Sequence, residues 1–224
     1  MGKILFTNKK ENGDVNYIAG TVTFVNEGYG EMEGKVVNCG MTLSVWDPEK
    51  KESQKKYLSI SFFNKENRPL RDRFVSAKVG AGDFIMVTCG TIKDLTPAKD
   101  GTPRIAATGF AFSRSGITTV ESGDKKYNLV IGTARRIRDV EDKSILNVNV
   151  PVSIYDKADS TRKDVWYSIA FASNDSRKLY KPAKDAITEG TPIAVLCGEV
   201  RENGNFRNLN AFQMIAGRKK DAST

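Results

Sequence analysis

Apolar and polar residues alternate over short stretches of the chain, and the series of stretches occurs twice in the same order. Alternation with a period of two, rich in β-branched and aromatic residues, is typical of half-buried strands. The first series predicts strands at 18–26, 41–46, 57–63, 82–90 and 104–112. The second predicts strands at 129–139, 147–155, 165–171, 190–198 and 207–214. Helical segments are predicted at 68–79 and 176–187, between the third and fourth strand of each series.

The two series are copies of one unit. The segment from Leu43 to Phe63 matches the segment from Val152 to Ala172 without a gap, and aromatic, β-branched and polar positions coincide. Charged turns are predicted at 47–56 and 156–164, between the second and third strands. A duplicated β unit with aromatic residues at matched positions indicates a repeated binding surface and not a single catalytic centre.

Five strands with a helix between the third and the fourth follow the order of the OB-fold, a small Greek-key barrel. We therefore predict an all-β chain with two tandem OB-folds, each a five-stranded Greek-key barrel with a short helix between strands 3 and 4. The predicted domains are residues 17–114 and 127–216, joined by a linker at 115–126. Residues 1–16 are predicted to be a polar leader, and residues 217–224 a short basic tail.

The composition excludes several kinds of site. The chain has 224 residues and no histidine, so it holds neither a Ser-His-Asp triad nor a histidine-bound metal. Its cysteines, Cys39, Cys89 and Cys197, are far apart and are predicted to be buried structural residues in a reducing compartment. We expect no enzymatic activity, no cofactor and no metal.

Two further properties bear on partners and location. No apolar run approaches the roughly 20 residues of a membrane helix, and the N-terminus lacks a signal-peptide pattern. We therefore expect a cytoplasmic protein without a membrane partner. The formal net charge is +8, and cations outnumber carboxylates in both halves of the chain. This charge favours an anionic partner.

The strand period separates inward from outward side chains. In the second strand Met41 and Leu43 face the barrel core, which places Trp46 outward. Outward aromatic rings can stack on bases, and nearby cations can contact phosphates. The candidate stacking residues are Trp46, Tyr57, Phe63, Tyr155 and Trp166. The candidate phosphate-binding residues are Lys35, Lys55, Lys56, Arg104, Arg135, Arg136, Arg138, Arg162, Lys163, Arg201 and Arg207.

The third strands read YLSISFFNK from Tyr57 and WYSIAFA from Trp166, and the strands after the helices begin GDFIMV and GTPIAV. These segments resemble the bacterial-type single-stranded DNA-binding proteins, some of which carry two OB domains in one chain. The resemblance implies single-stranded DNA as the partner and a role in replication, recombination or repair. Family members generally assemble four OB domains, which a homodimer of this chain would supply.

The C-terminus departs from that family. Its cellular members usually end in a flexible acidic tail with an apolar tip that recruits other proteins, whereas this chain ends in the basic segment GRKKDAST. We therefore expect no acidic recruitment tail, and a phage or mobile-element origin fits this ending.

Two other functions remain open at this point. OB-folds also bind RNA. An OB-type protein–protein scaffold could instead use Trp46 and Trp166 to anchor a partner. An aromatic residue at a strand end can also serve only to cover the mouth of the barrel, and a lysine in a turn can simply be solvated.

Overall fold

The computed structural model describes residues 1–28, 30–156, 160–174, 177–203 and 206–219, without the side chains of residues 155, 156, 203 and 206. The chain divides into two compact units, Met1–Ser113 (unit 1) and Arg114–Thr224 (unit 2). No described helix is long and apolar enough to cross a membrane.

Unit 1 is a closed five-stranded barrel with additional short strands. Its strands are β1 (Lys3–Asn8), β2 (Val15–Asn26), β3 (Val36–Asp47), β4 (Glu52–Lys65), β5 (Arg68–Pro69), β6 (Phe84–Cys89), β7 (Lys93–Leu95) and β8 (Arg104–Ser113). Helix α1 (Leu70–Ser76) lies between β5 and β6. Strands β2, β3, β4, β8 and β6 pair in that order, and β6 pairs back with β2. The β4–β8 pair is parallel, which gives the strand order of an OB-fold.

Unit 2 repeats this architecture. Its strands are β9 (Gly116–Ser122), β10 (Lys125–Thr133), β11 (Arg135–Val140), β12 (Ile145–Asp156), β13 (Thr161–Asn174), β14 (Arg177–Lys178), β15 (Pro192–Cys197), β16 (Arg201–Asn203) and β17 (Phe206–Ala216). Helix α2 (Tyr180–Ala186) precedes β15. The first barrel strand is divided into β10 and β11, and the pairing β11–β12–β13–β17–β15–β10 completes the barrel. The predicted fold, two tandem OB-folds with a helix between the third and fourth barrel strands, is confirmed.

The core of each barrel follows the alternation of the sequence. Met41, Leu58 and Phe62 are buried in unit 1, whereas Trp46 is 61% exposed. The Phe62 ring stacks on Phe74 of α1 with centroids 4.7 Å apart, so the helix closes one end of the core. In unit 2 the buried residues of β13 are Tyr167, Ile169 and Phe171, again every second position.

The structure differs from the prediction in the segments before each barrel. Residues 1–16 were predicted to be a polar leader, but β1 pairs antiparallel with β2, and Leu5 is buried. Residues 115–126 were predicted to be a linker, but β9 pairs in the same way with β10, and Val120 is buried. Each segment forms a strand because it satisfies backbone hydrogen bonds along the first barrel strand and packs an apolar side chain, Ile4 or Ile117, against the barrel core.

The hairpin between the second and third barrel strands is also longer than predicted. Residues 52–56 and 161–164 belong to β4 and β13, so only the tip of each predicted charged turn is a turn. In unit 1 the Asp47 carboxylate accepts hydrogen bonds from the backbone N–H groups of Glu49 and Lys50 at 3.0 and 3.2 Å. This Asx-type turn follows β3, which ends at Asp47, one residue later than predicted. Lys55 and Lys56 are therefore strand residues.

The three cysteines are free thiols buried in the cores. Burial raises the pKa of Cys39 and of Cys89 to about 12 and also raises the pKa of Cys197. Because the thiolate is the reactive and metal-binding form, these residues act as small core side chains. Within the described residues, no group of three or more Cys, Asp or Glu side chains is placed to hold a metal ion.

Candidate functional site

The outer side of the barrel in unit 1 carries the aromatic residues expected from the strand period. In the β3–β4 ladder Tyr57 is opposite Thr42, and Trp46 is opposite Ser53. Tyr57 is partly exposed among small polar neighbours, because the large apolar residues of both strands are buried on the other side. We call the outward side chains of β2, β3, β4, β7 and β8 the unit 1 face.

Phe24 is a second aromatic residue of this face, and simple alternation does not predict it. Ile18 and Val22 are buried, so a regular strand would also bury Phe24. A bulge between Val22 and Phe24 shifts the register, and Phe24 is 44% exposed. Its ring lies across Gly40, where a Cβ atom would be 2.0 Å from Phe24 Cε1. A glycine inside a strand often marks such a close approach, so Gly40 is the sequence signal for this ring.

Phe24 and Tyr57 line a groove of about 270 Å³ across the unit 1 face. Arg104 of β8 is in register with Tyr57, and Leu95 of β7 is opposite Arg104. Leu95 is 42% exposed and also lines the groove. The groove therefore combines two aromatic rings, an aliphatic side chain and a guanidinium group, a set that suits a flat ring attached to an anion.

Two asparagines that line the groove belong to a chain of side-chain hydrogen bonds. Ser61 Oγ donates a hydrogen bond to Asn38 Oδ1 at 2.7 Å, and Asn38 Nδ2 donates to Asn26 Oδ1 at 3.0 Å. These bonds connect β4, β3 and β2 and hold the Asn38 amide in one orientation. Asn26 and Asn38 therefore line the groove in a fixed arrangement.

Tyr57 is held by charged neighbours. Lys55 Nζ donates to the Tyr57 hydroxyl at 2.9 Å and lies 4.7 Å from the ring centroid. The hydroxyl donates to Asp100 Oδ2 at 3.3 Å. The hydrogen bond with Tyr57 raises the pKa of Lys55, and the backbone N–H of Thr102 lowers the pKa of Asp100. Lys55 is thus a cation at neutral pH, fixed beside the ring.

The remaining candidates of unit 1 lie away from the groove. Trp46 and Lys56 line a separate small cavity near the tip of the β3–β4 hairpin, together with Asp47 and Glu49. Phe63 is half-buried near the other end of β4, opposite Val36. Lys35 is exposed just before β3. Of the predicted residues in unit 1, the structure brings together Tyr57, Lys55 and Arg104.

In unit 2 Trp166 occupies the place of Tyr57. It is 40% exposed on β13, and Pro151 is its partner on β12. Arg136 lies at the bulge between β11 and β12 with a φ of 45°. Its guanidinium carbon is 5.0 Å from the centre of the Trp166 ring, within the range of a cation–π interaction.

Two further arginines lie on the strand that carries Arg136. Arg135 pairs with Asn149, and Arg138 pairs with Asn147, which places both on the outward side of the ladder. Arg135 matches Phe24 by register, because Asn149 and Gly40 are equivalent positions. We call the outward side chains of β11, β12, β13, β16 and β17 the unit 2 face. It is more cationic and less aromatic than the unit 1 face.

The other predicted residues of unit 2 have different surroundings. Arg207 is partly exposed: its Nη1 is 3.5 Å from the hydroxyl of the buried Tyr167, and its Nε is 3.2 Å from the exposed Glu202. Arg162 and Lys163 are exposed near the start of β13. Arg201 of β16 is exposed and opposite Asn208. The side chain of Tyr155 lies outside the described part of the chain.

Comparison with known proteins gives little further information. No protein-family model and no curated protein sequence matches the chain. Among solved structures, the chain is similar to the wild-type single-stranded DNA-binding protein from Thermus aquaticus, with 10% identity and a TM-score of 0.27. The alignment covers 94% of this chain and 95% of that chain. The OB-folds described above are identified from the strand pairing of this chain itself.

Proposed function

We propose that the chain binds single-stranded DNA through aromatic stacking and phosphate contacts, without strong sequence preference. The observation that carries this proposal is the matched pair Tyr57 and Trp166. Each is a partly exposed ring on the third strand of an OB barrel, and each has a cation against it. A base has a flat face whatever its identity, so stacking tolerates any sequence, and cations can contact the backbone between stacked bases.

The proposed division of roles follows the geometry of each unit. In unit 1 Phe24 and Tyr57 would stack on bases, and Arg104 and Lys55 would contact phosphates. In unit 2 Trp166 would stack, and Arg135, Arg136, Arg138 and Arg201 would contact phosphates. Trp46, Phe63, Lys35, Lys56, Arg162 and Lys163 would contact DNA that extends beyond these residues. Arg207 is partly exposed, pairs with Glu202 and stays a candidate phosphate contact of unit 2.

A titration with oligo-dT tests the proposal. We expect binding to quench tryptophan fluorescence, because Trp166 stacks on a base. We also expect log K to fall linearly with log salt concentration, with a slope of about −0.7 for each phosphate contacted. An oligo-U of equal length serves as the competitor. Absence of binding at low salt would contradict the proposal, and stronger binding of oligo-U would assign the faces to RNA.

The assembly and cellular role belong to the same proposal. Two copies of the chain would supply four OB domains on one stretch of DNA, and the bound strand would be protected during replication, recombination or repair. Light scattering of the chain at working concentration tests the homodimer. A measured mass near 24.7 kDa, that of one chain, would contradict the homodimer.

A further inference from the structure

Each unit carries a second groove, beside the last barrel strand. In unit 1 the groove has a volume of about 870 Å³ and lies between the β1–β2 hairpin and β8. In unit 2 the groove has a volume of about 670 Å³ and lies between the β9–β10 hairpin and β17. Phe110 lines the first and Phe212 the second. We call these the hairpin grooves.

A buried asparagine builds both hairpin grooves in the same way. Asn16 Nδ2 donates to the carbonyl of Gly90 at 2.9 Å, and Asn128 Nδ2 donates to the carbonyl of Gly198 at 2.9 Å. The asparagine Oδ1 accepts a hydrogen bond from Thr7 in unit 1 and from Thr119 in unit 2, at 2.8 and 3.0 Å. The amide thus ties the hairpin to the end of the fourth barrel strand. A polar group buried in this way is costly without its partners, so the hairpin is held in place.

The phenylalanine of each groove is placed by a β-bulge. Cys89 pairs with Gly109 and Thr88 with Ala111, which leaves Phe110 as the additional residue of β8. Phe212 is the additional residue of β17 in the same way. A bulge redirects a side chain. Here it turns each ring over a glycine: a Cβ atom at Gly90 would be 3.0 Å from Phe110, and one at Gly198 would be 3.2 Å from Phe212.

Cations predominate around both rings. Each hairpin groove is lined by four cations and two carboxylates. In unit 2 the guanidinium carbon of Arg177 lies 3.9 Å from the centre of the Phe212 ring. In unit 1 Lys65, at the matching end of β4, lines the groove. An aromatic floor with a positive rim is the combination that single-stranded nucleic acid needs.

The hairpin groove of unit 1 and the groove of the unit 1 face lie on the two sides of strand β7. Strand β7 separates the two: Leu95 lines the first groove, and Lys93 lines the hairpin groove. Arg104 and Phe110 lie on one strand, six residues and about 20 Å apart. In unit 2 Arg201 lines the hairpin groove and is also opposite Asn208 on the unit 2 face.

We propose that each hairpin groove is a second binding site for single-stranded DNA, in which one base packs on Phe110 or Phe212 and the adjacent phosphates contact the surrounding cations. This inference rests on the proposed function and extends it. A strand that leaves Tyr57 past Arg104 would cross β7 and enter the hairpin groove, so each unit would hold a longer segment than its outer face alone.

The test uses the full chain and an oligo-dT of about 16 nucleotides, the upper site size of an OB-fold. Lys10→Ala with Lys93→Ala removes two cations of the unit 1 hairpin groove. Arg73→Ala with Lys181→Ala removes the same charge from the exposed surfaces of helices α1 and α2 and is the matched control. We expect the groove variant to make the slope of log K against log salt concentration shallower by about 1.4, or about 0.7 for each lost phosphate contact. The control should leave this slope unchanged.

A second variant tests the aromatic floor. Phe110→Leu with Phe212→Leu keeps an apolar side chain in each bulge, and circular dichroism checks that the barrels are folded. We expect the affinity to fall roughly 5- to 100-fold for each lost ring that packed on a base. The proposed function stands but the hairpin grooves are not DNA sites if the wild type binds, the lysine variant matches its control in salt slope, and the leucine variant matches the wild type in affinity. If the wild type binds no oligo-dT, the proposed function fails and this inference fails with it.

Discussion

Replacing Tyr57 and Trp166 together by alanine is expected to weaken oligo-dT binding by roughly 2–6 kcal/mol, since each stacked base contributes roughly 1–3 kcal/mol. The two rings hold the same position on the third strand of their barrels. Each substitution also removes the surface against which a cation lies, Lys55 in unit 1 and Arg136 in unit 2. Fluorescence anisotropy of a labelled oligo-dT measures the loss without depending on the tryptophans.

Phenylalanine variants are the matched controls for this pair. Tyr57→Phe keeps the ring but removes the hydroxyl that joins Lys55 to Asp100. Trp166→Phe keeps a smaller ring beside Arg136. If stacking dominates, the free energy of oligo-dT binding by both controls stays within about 1 kcal/mol of that of the wild type. Alanine variants with wild-type affinity would show that these rings only cover the barrel wall. Equal losses in Tyr57→Ala and Tyr57→Phe would assign the effect at this position to the hydrogen bonds of the hydroxyl instead.

The fold could be predicted from the sequence because its main signal is local and occurs twice. Alternation located the five barrel strands of each unit, and it placed Trp46 outward and Met41 and Leu43 inward. This prediction needs only a strand period of two, which holds wherever the ladder is regular. Repetition of the same pattern in two copies made the strand order more certain than either copy alone.

Strand alternation does not predict side-chain orientation at β-bulges. Phe24, Phe110 and Phe212 all lie at register shifts, and in each case one additional residue reverses or redirects the side chain. Alternation cannot indicate where a ladder gains a residue, because the gain depends on pairing with a distant strand. The glycines beneath the rings, Gly40, Gly90 and Gly198, are local traces of these contacts.

The strands that precede the barrels, β1 and β9, were not predicted for a related reason. Within β1 only Leu5 is buried, and within β9 only Val120, so neither segment shows a repeated apolar face. Their pairing partners lie in β2 and β10, and their position depends on those partners. Comparison of the two copies would have helped: Thr7 and Asn16 have the same spacing as Thr119 and Asn128, and each pair forms the same hydrogen bond.

Charge was the least informative part of the sequence. Arg104 and Arg207 both follow the hairpin before the last barrel strand, yet they have different environments. Arg104 lies outward beside Tyr57, whereas Arg207 approaches the Tyr167 hydroxyl and Glu202. One residue of difference in strand position decides between an arginine beside Tyr57 and an arginine that pairs with an exposed carboxylate, Glu202. Only the strand register contains that information.

Replacing Phe62 by alanine is expected to lower the free energy of unfolding of unit 1 by about 3–5 kcal/mol, the range for removing a buried phenylalanine. Phe62 is fully buried, stacks on Phe74 and meets the edge of Phe112 at 5.8 Å. Its loss would leave a cavity between β4, β8 and helix α1. Urea unfolding followed by circular dichroism measures the change, and hydrogen exchange of peptides from β4 assigns it to unit 1.

The neighbouring residue supplies a matched control. Phe63 faces outward on the same strand, and unit 2 forms the equivalent strand with Ala172 at the equivalent position. Phe63→Ala therefore introduces a residue that this ladder already accommodates, and we expect a loss below about 1.5 kcal/mol. Equal destabilisation by the two substitutions would contradict the assignment of inward and outward faces on β4. That assignment underlies the position of Tyr57, so the pair of variants tests the binding face through stability alone.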